Sequence, residues 1–149
     1  MADVLDELAE LLTGIHRLVR RRLRVGLVGP RLRGAQVELL KLVGARPGVR
    51  ISAAAEQLYL AGNTVSTLVN QLVEAGLLRR ETAPDDRRAG LLYLTPAAER
   101  RMRVWQERRR DLMRARLHQL SVEDRAALAA AVPALRRLAQ GMREEIDET

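Results

Sequence analysis

Apolar residues recur at helical spacing at both ends of the chain. Over residues 3–24 they alternate at three and four positions, a heptad pattern that predicts a long amphipathic helix. The residues of this seam are Leu5, Leu8, Leu12, Ile15 and Val19. Ser121 is expected to cap a last helix that runs to about residue 146 and shows the same alternation. Pro133 is expected to kink or interrupt that helix.

Two short helices separated by a glycine-containing corner are predicted in the middle of the chain. A helix at about 33–45 precedes them, and residues 49–51 could form a very short strand. Ser52 is expected to be the N-cap of the first short helix. Asn63 is expected to cap the second, and Gly76 has the position of the glycine that ends a helix.

A hairpin and a long helix follow. Two short apolar strands flank the polar loop 83–90, which contains proline, aspartate and glycine. Thr95 and Pro96 then predict an N-cap and first helical residue for a helix that reaches about His118. This order of elements predicts a mainly α winged helix-turn-helix fold with a small β-hairpin wing and long terminal helices.

The second short helix has the two faces that a DNA-reading helix needs. One face is apolar, and the other carries short polar side chains that could approach base edges, although they could also be plain solvated surface. The candidate DNA-binding residues on it are Asn63, Thr64, Ser66, Thr67, Asn70 and Gln71. In the hairpin loop, Arg87 and Arg88 provide a basic tip that could enter an adjacent minor groove.

From Leu32 to Met102 the chain resembles the MarR (multiple antibiotic resistance regulator) family. The joint spacing of the matching stretches is specific, and the flanking helices agree with the family's plan. The stretches run from Leu58 to Val69, from Leu72 to Arg80, from Asp85 through Asp-Arg-Arg to Ala89, and from Leu92 to Ala97. The resemblance implies a homodimer joined through the terminal helices, with helix 63–75 in the major groove and the wing in the minor groove.

The same resemblance implies a division of the chain. Residues 1–30 and 96–149 would form the helical dimerisation region, and residues 31–95 the winged helix-turn-helix DNA-binding lobe. Arg88 would be the wing-tip arginine and Asp86 would brace the wing. An ordinary turn-forming role is the alternative for this aspartate.

A ligand-responsive repressor is the activity that the resemblance implies. The dimer would occupy a pseudo-palindromic operator on double-stranded DNA, and a small, often aromatic, acidic effector in the cleft between the two lobes would release it. His16 and Trp105 are candidate residues of that cleft, while packing in a buried interface is the other role open to Trp105. No residue identifies the effector or the operator.

Two positions of the reading helix depart from the family. Many members carry an arginine where this chain has Thr67, and often another where it has Gln71. Neutral side chains there remove the guanidinium fork that reads guanine. Because Asn70 or Gln71 could instead pair with adenine through two hydrogen bonds, we expect an A·T-containing half-site core.

The charge of the chain suits a polyanionic partner but does not lie in the reading segment. The formal net charge is +7, from 26 basic and 19 acidic residues. Residues 52–95 nevertheless hold four basic and five acidic groups, whereas residues 31–51 and 96–120 hold most of the excess. Arg31 and Arg33 could therefore rest on phosphates. The uneven charge keeps two alternatives open, a helical dimeric protein-interaction module and a non-specific architectural DNA binder.

Other classes of function lack the residues they need. The sequence has no cysteine and only two histidines, His16 and His118, in different predicted helices, and no glycine-rich phosphate loop. We therefore expect no enzyme activity, cofactor or metal. The few aromatic residues form no stacking platform for single strands. The acidic N-terminus is unlike a secretory signal and the longest apolar run is too short for a membrane span, so a cytoplasmic protein is expected.

Overall fold

The computed structural model describes residues 1–147, and its elements follow the predicted order. Six helices and three strands lie in this range, so the fold is mainly α with one small sheet, as predicted. Their bounds are α1 Ala2–Arg24, α2 Gly34–Ala45, β1 Val49–Arg50, α3 Ile51–Leu58, α4 Gly62–Glu74, β2 Leu78–Thr82, β3 Gly90–Leu94, α5 Pro96–His118 and α6 Val122–Asp147. The chain divides into two compact units, Met1–Arg108 and a second that begins at Arg109.

The core of the first unit lies where α2, α3 and α4 meet the sheet. α4 buries its apolar residues at helical spacing, in one cluster with residues of α2 and with Leu92 of β3. The largest fully buried side chains are Leu39, Leu40, Leu72, Leu92, Val43, Val65 and Val69. Burying one such side chain stabilises a fold by about 1.5–3 kcal/mol, so this cluster fixes the direction in which α4 presents its other face.

The sheet is antiparallel, with strand order β1-β3-β2. β2 and β3 form the predicted hairpin, in a register that places Arg80 opposite Leu92 and Thr82 opposite Gly90. The short strand β1 pairs along the other edge of β3. The wing is therefore attached to the lobe through backbone hydrogen bonds on the side away from β2.

The predicted N-caps of the two short helices are wrong. α3 begins at Ile51 with Arg50 as its N-cap, and α4 begins at Gly62 with Ala61 as its N-cap; neither cap residue forms a side-chain capping hydrogen bond. The chain leaves β1 directly into α3, which places Ser52 inside the helix. Tyr59 takes a left-handed conformation with φ 54°, and the tight corner that follows starts α4 before Asn63.

The caps of the two long helices are confirmed. The Ala98 backbone N–H donates to Thr95 Oγ1 at 3.2 Å, and the Thr95 hydroxyl donates to the Gly76 carbonyl oxygen at 2.7 Å. Thr95 thus ties the start of α5 to the turn that follows α4. In the second unit, the Asp124 backbone N–H donates to Ser121 Oγ at 3.0 Å.

α6 continues through Pro133. A proline removes one helical hydrogen bond and crowds the preceding turn, which is the reason to expect an interruption. The helix nevertheless runs without a break from Val122 to Asp147, so the predicted interruption does not occur. None of the helices in residues 1–147 combines the length and apolar character that spanning a lipid bilayer requires.

Candidate nucleic-acid interface

The polar face of α4 is open to solvent. Asn63, Thr67 and Asn70 follow one another at helical spacing and are exposed, as is Thr64 in the first turn. Ser66 and Gln71 are partly buried; they lie nearer to the face that packs on the core. The structure thus brings all six predicted residues onto one helix, four of them fully accessible to a partner.

The Gln71 side chain forms a hydrogen bond within the lobe. Its Oε1 atom accepts a hydrogen bond from Gln36 Nε2 at 3.0 Å, and Gln36 Oε1 accepts one from the Arg33 backbone N–H at 2.8 Å. Gln36 is buried, with 8% of its surface exposed, so it links the start of α2 to α4. The sequence analysis missed Gln36, although its place three residues after Arg33 is the position from which a glutamine can bond the start of a helix.

These bonds separate the two neighbouring amides of α4. Reading adenine with two hydrogen bonds needs a free amide oxygen and a free amide nitrogen on the same side chain. The Gln71 oxygen is turned toward Gln36, whereas within residues 1–147 the Asn70 side chain forms no hydrogen bond. Thr67 donates its hydroxyl proton to the Asn63 carbonyl oxygen at 3.0 Å, which leaves its oxygen as an acceptor.

The tip of the wing presents two exposed arginines, Arg87 and Arg88. Asp86 shapes the turn that carries them: its Oδ1 accepts a hydrogen bond from the Arg88 backbone N–H at 2.9 Å, and its carbonyl oxygen accepts one from the Ala89 N–H at 3.1 Å. A local bond of this kind is what both a bracing role and an ordinary turn-forming role require.

A second aspartate connects the wing to the body of the lobe. Arg50 Nη2 donates to both carboxylate oxygens of Asp85, each at 2.8 Å. The hydrogen bond from Arg50 holds the pKa of Asp85 below its ordinary value. Arg50 is the last residue of β1 and the N-cap of α3, so the ion pair joins the wing loop to the start of the helix-turn-helix. The two residues are 35 positions apart, and nothing in a single sequence pairs them.

The stem of the wing has its own cation. Arg79 of β2 lies opposite Tyr93 of β3 in the strand register, and its guanidinium is 4.7 Å from the centre of the tyrosine ring. Arg79 also forms an ion pair with Glu81. These contacts occupy the charge of Arg79 within the hairpin, whereas in the described wing Arg80 of β2 and the tip residues Arg87 and Arg88 are exposed without an acidic partner.

The two candidate residues of the effector cleft, His16 and Trp105, do not line the same cavity. Trp105 lines a cavity of about 420 Å³ that the end of α1, the segment 25–32, α2 and α5 enclose within the first unit. The Lys41 ammonium lies 4.9 Å from the centre of its ring. His16 is exposed on α1 and does not line this cavity, because the α1 residues that reach it begin one turn later, at Arg20.

A metal site is not formed by these elements. Among the described residues, no group of three or more histidine, aspartate or glutamate side chains is placed to hold a metal ion. The arrangement instead combines hydrogen-bonding groups on one helix with positive charge on an adjacent loop. Such a surface can bind a polyanion through its charge and distinguish ligands through its amide and hydroxyl groups.

Comparisons with known proteins agree on the family. Residues 32–89 match the sequence model of the MarR family. A protein of Thauera aromatica, described as a transcriptional regulatory protein for the hcr operon, is 38% identical over 58 residues. That match covers 39% of this chain and 35% of the relative, so it spans about a third of the relative's length.

Solved structures share the fold over most of the chain. PcaV from Streptomyces coelicolor, a transcriptional regulator in complex with its natural ligand, is 26% identical with a TM-score of 0.63 and covers 89% of both chains. FabT from Streptococcus pneumoniae, in complex with DNA, is 23% identical with a TM-score of 0.76 and covers 93% of this chain and 99% of its own. The relatives named here are transcription regulators, residues 32–89 of this chain match the MarR family, and the chain has the winged helix-turn-helix fold of the solved structures.

Proposed function

We propose that this protein binds double-stranded DNA as a homodimer and acts as a ligand-responsive transcriptional repressor at a pseudo-palindromic operator. The observation that carries the proposal is the combination, on one lobe, of the exposed polar face of α4 with the exposed arginines of the wing tip. A helix in the major groove and a basic loop in the neighbouring minor groove use these two features together. FabT, which has the same fold, was solved bound to DNA.

In this proposal Asn70 is the residue that reads a base. The side chain is exposed and free of internal hydrogen bonds in the described chain, so it can pair with adenine, whereas Gln71 Oε1 already accepts a hydrogen bond from Gln36 Nε2. The other polar side chains of this face are short, so the helix can come close enough for them to contact phosphates or base edges. They are Asn63, Thr64, Ser66 and Thr67. An A·T-containing half-site core follows, and selected sites that are only G·C-rich would contradict it.

Dimer formation is supported by an uncovered apolar seam on α1. Leu5 and Ile15 expose 60% and 50% of their surface, and Leu18 exposes 65%. In water such a surface is costly, at about 25 cal/mol for each Å² that could be buried. A second copy of this chain is the proposed cover, because the residues repeat with the heptad spacing that helices use to pack on one another. The exposed apolar residues of α6 are proposed to join the same dimerisation region.

A dimer also matches the target. Two symmetry-related α4 helices can enter successive major grooves only if their half-sites lie about one helical turn apart, which is the geometry of a pseudo-palindrome. Any ligand that alters the separation of the two helices therefore alters affinity. The cavity beside Trp105 is the proposed effector site, and PcaV was solved with its natural ligand. A small aromatic or acidic molecule is the proposed effector.

A non-specific architectural DNA binder is the second candidate. It is favoured by the basic segments on either side of the reading segment, since residues 31–51 and 96–120 hold most of the excess positive charge. Such a protein would depend on phosphate contacts from the basic segments on either side and would show no preference among sequences. The neutral but varied hydrogen-bonding groups of α4 favour the sequence-specific function over this one.

Selection from a random DNA pool separates the candidates. Purified protein is mixed with the pool at several salt concentrations, and the retained DNA is sequenced. A sequence-specific dimer enriches an inverted repeat, with log affinity falling linearly as log salt rises. Retention without a motif supports the architectural binder, and no retention by a folded dimer at low salt contradicts both.

The variant Arg88→Ala tests the wing within the same assay. It is expected to weaken binding to all retained sequences and to leave the dimer intact, because Arg88 lies on the exposed tip of the wing and outside the helices of the proposed dimer. Arg137→Ala is the matched control, since this arginine is also exposed but lies on α6. Equal binding by Arg88→Ala and the parent would show that the wing does not contact DNA.

A further inference from the structure

The cavity beside Trp105 has an unusually positive lining. Its wall includes arginines from the last turns of α1, from the segment before α2 and from α5, and the described lining has no aspartate or glutamate. These residues are Arg20, Arg21, Arg24, Arg31 and Arg101. The remainder of the wall is mostly apolar, and includes Leu32, Met102 and Trp105. A space of about 420 Å³ is large enough for a small organic molecule.

The charge of this wall is not neutralised by the protein. Within residues 1–147, the ion pairs involve other residues, and none of the five arginines has an acidic partner. Like charges that share a small, partly desolvated volume repel one another more strongly than they do in water. An anion that enters the cavity would relieve this repulsion.

Arg101 is the innermost of these cations. Its Nη2 atom donates to the Pro30 carbonyl oxygen, while its Nη1 atom is buried and has no hydrogen-bond partner among the described residues. A buried donor without an acceptor costs about 1–3 kcal/mol, and more when it is charged. Burial also lowers the pKa of Arg101, which nevertheless stays cationic at neutral pH.

Two glycines leave room for guanidinium groups to lie close to the backbone. A Cβ atom added at Gly34 would lie 2.7 Å from Arg20 Nη1, and one added at Gly29 would lie 2.9 Å from Arg101 Nη1. Any larger residue at either position would therefore push a guanidinium away from its site. The guanidinium groups of Arg20 and Arg101 therefore lie close to the backbone of the lobe, and both side chains are partly buried.

We infer that this cavity binds an organic anion carrying at least two negative charges next to an apolar body. The inference rests on the proposed function, in which the same cavity holds the effector, and it names the charge of that effector. A single carboxylate can form a bidentate pair with one guanidinium and would leave most of the arginines unneutralised. A phosphate monoester or a dicarboxylate can join Arg101 to the arginines of α1, with its apolar part against Trp105 and Met102.

Calorimetric titration of the DNA-free protein tests the charge requirement. The probes are phenyl phosphate, phthalate, benzoate and inorganic phosphate, compared at one ionic strength and at a pH where phenyl phosphate is a dianion. Phenyl phosphate and phthalate are expected to bind at least about tenfold more tightly than benzoate, a difference that titration resolves easily. Their affinities are also expected to fall more steeply with salt than that of benzoate.

Each probe gives a decisive result. Preference for phenyl phosphate over phthalate assigns the doubly charged group to a phosphate, and the reverse preference assigns it to a dicarboxylate; both support the inference. Benzoate binding as tightly as the dianions, or no binding by either dianion, overturns it. If inorganic phosphate binds as tightly as phenyl phosphate, the inference that the site recognises an apolar body is overturned.

Neighbouring arginines supply matched variants. Arg21 lines the cavity and Arg22 does not, although both are exposed on the last turns of α1. Arg21→Gln is expected to weaken phenyl phosphate at least about fivefold and benzoate much less, while Arg22→Gln changes neither. Arg101→Gln is expected to remove dianion binding, with Arg100→Gln as its control on α5. Equal effects of Arg21→Gln and Arg22→Gln would show only a general loss of charge.

DNA binding is measured separately, without any probe. If the protein binds its operator but no dianion, the inference fails and the proposed function stands. If a dianion binds and no DNA is retained, the proposed function fails and the anion site stands. Release of operator DNA by phenyl phosphate, and not by benzoate at the same concentration, would show that the anion site controls DNA binding.

Discussion

Helices α4 and α1 share one kind of sequence pattern and differ in what covers it. In α4 the apolar residues are buried within their own lobe, and Val65 and Leu72 are 0% exposed. In α1 residues of the same type remain open, with Leu5 60% exposed. A hydrophobic pattern therefore predicts that a helix forms and which side needs cover, but it does not say whether the cover comes from the same chain. The difference makes the lobe self-sufficient, whereas the apolar side of α1 is left open and is covered by a second copy of the chain only in the proposed dimer.

The largest effect is expected from a cavity inside the lobe. Leu72→Ala removes a fully buried side chain of α4 and is expected to lower the free energy of unfolding by about 2–5 kcal/mol, because the surrounding core cannot close the space. Denaturant unfolding at fixed protein concentration measures it. Val73→Ala is the control, since Val73 is 43% exposed on the same helix, and its effect should stay within about 0.5 kcal/mol. Equal losses for the two variants would contradict the described core.

A charge on α1 is expected to act on assembly rather than on the lobe. Ile15→Asp places a carboxylate in the proposed dimer seam and is expected to raise the dissociation constant of the dimer by about 100-fold, which corresponds to roughly 2.7 kcal/mol. Sedimentation over a range of concentrations measures it, while circular dichroism checks that the helices remain. Thr13→Asp, on the polar side of α1, is the control. A dimer that Ile15→Asp leaves unchanged would show that another surface joins the subunits.

The neighbouring side-chain amides of α4, Asn70 and Gln71, are expected to differ in whether they affect base preference or stability. Asn70→Ala is expected to relax base preference at one position in each half-site by about 1–3 kcal/mol, with little effect on stability. Gln71→Ala is expected to change base preference little and to lower the free energy of unfolding by about 1–3 kcal/mol, because it leaves the buried Gln36 amide without its acceptor. Binding to a set of operator variants and denaturant unfolding are both measured. If Gln71→Ala changes base preference more than Asn70→Ala, the base-reading assignment is reversed.

The sequence predicted more of the fold than of the site. Heptad spacing, turn residues and the Thr95-Pro96 cap placed every long helix and the hairpin, because these signals act between residues close together in the chain. The starts of α3 and α4 were wrong, since the strand before one and the left-handed Tyr59 before the other fix them instead. Gln36 and the Asp85–Arg50 pair were missed, because contacts between residues 35 apart depend on the folded arrangement. His16 does not line the cavity beside Trp105, so its place in an effector cleft stays a prediction.

The smallest effect is expected from the ion pair that joins the wing to the lobe. Both partners are exposed, Arg50 by 39% and Asp85 by 70% of their side chains, and exposed pairs are weakened by solvent and salt. Asp85→Asn and Arg50→Gln are each expected to weaken operator binding by less than about fivefold, because the wing arginines stay in place but the loop is less well positioned. The two changes together should cost no more than either alone, since both break the same contact. Asp86→Asn, which acts on the local turn instead, should add its effect independently.

The pH dependence of the same pair has a definite sign. The pKa of Asp85 is lowered in the folded protein, so its contribution is complete at pH values above the ordinary aspartate range and is lost as the pH falls through the lowered value. Between neutral pH and that range, Asp85→Asn should therefore differ from the parent by a constant amount. Thermal unfolding of both proteins, scanned toward acid, should show the difference vanish once the parent carboxylate is protonated. A difference that persists in acid would mean that the asparagine changes the wing by some route other than charge, and the double-mutant cycle would then show additive losses.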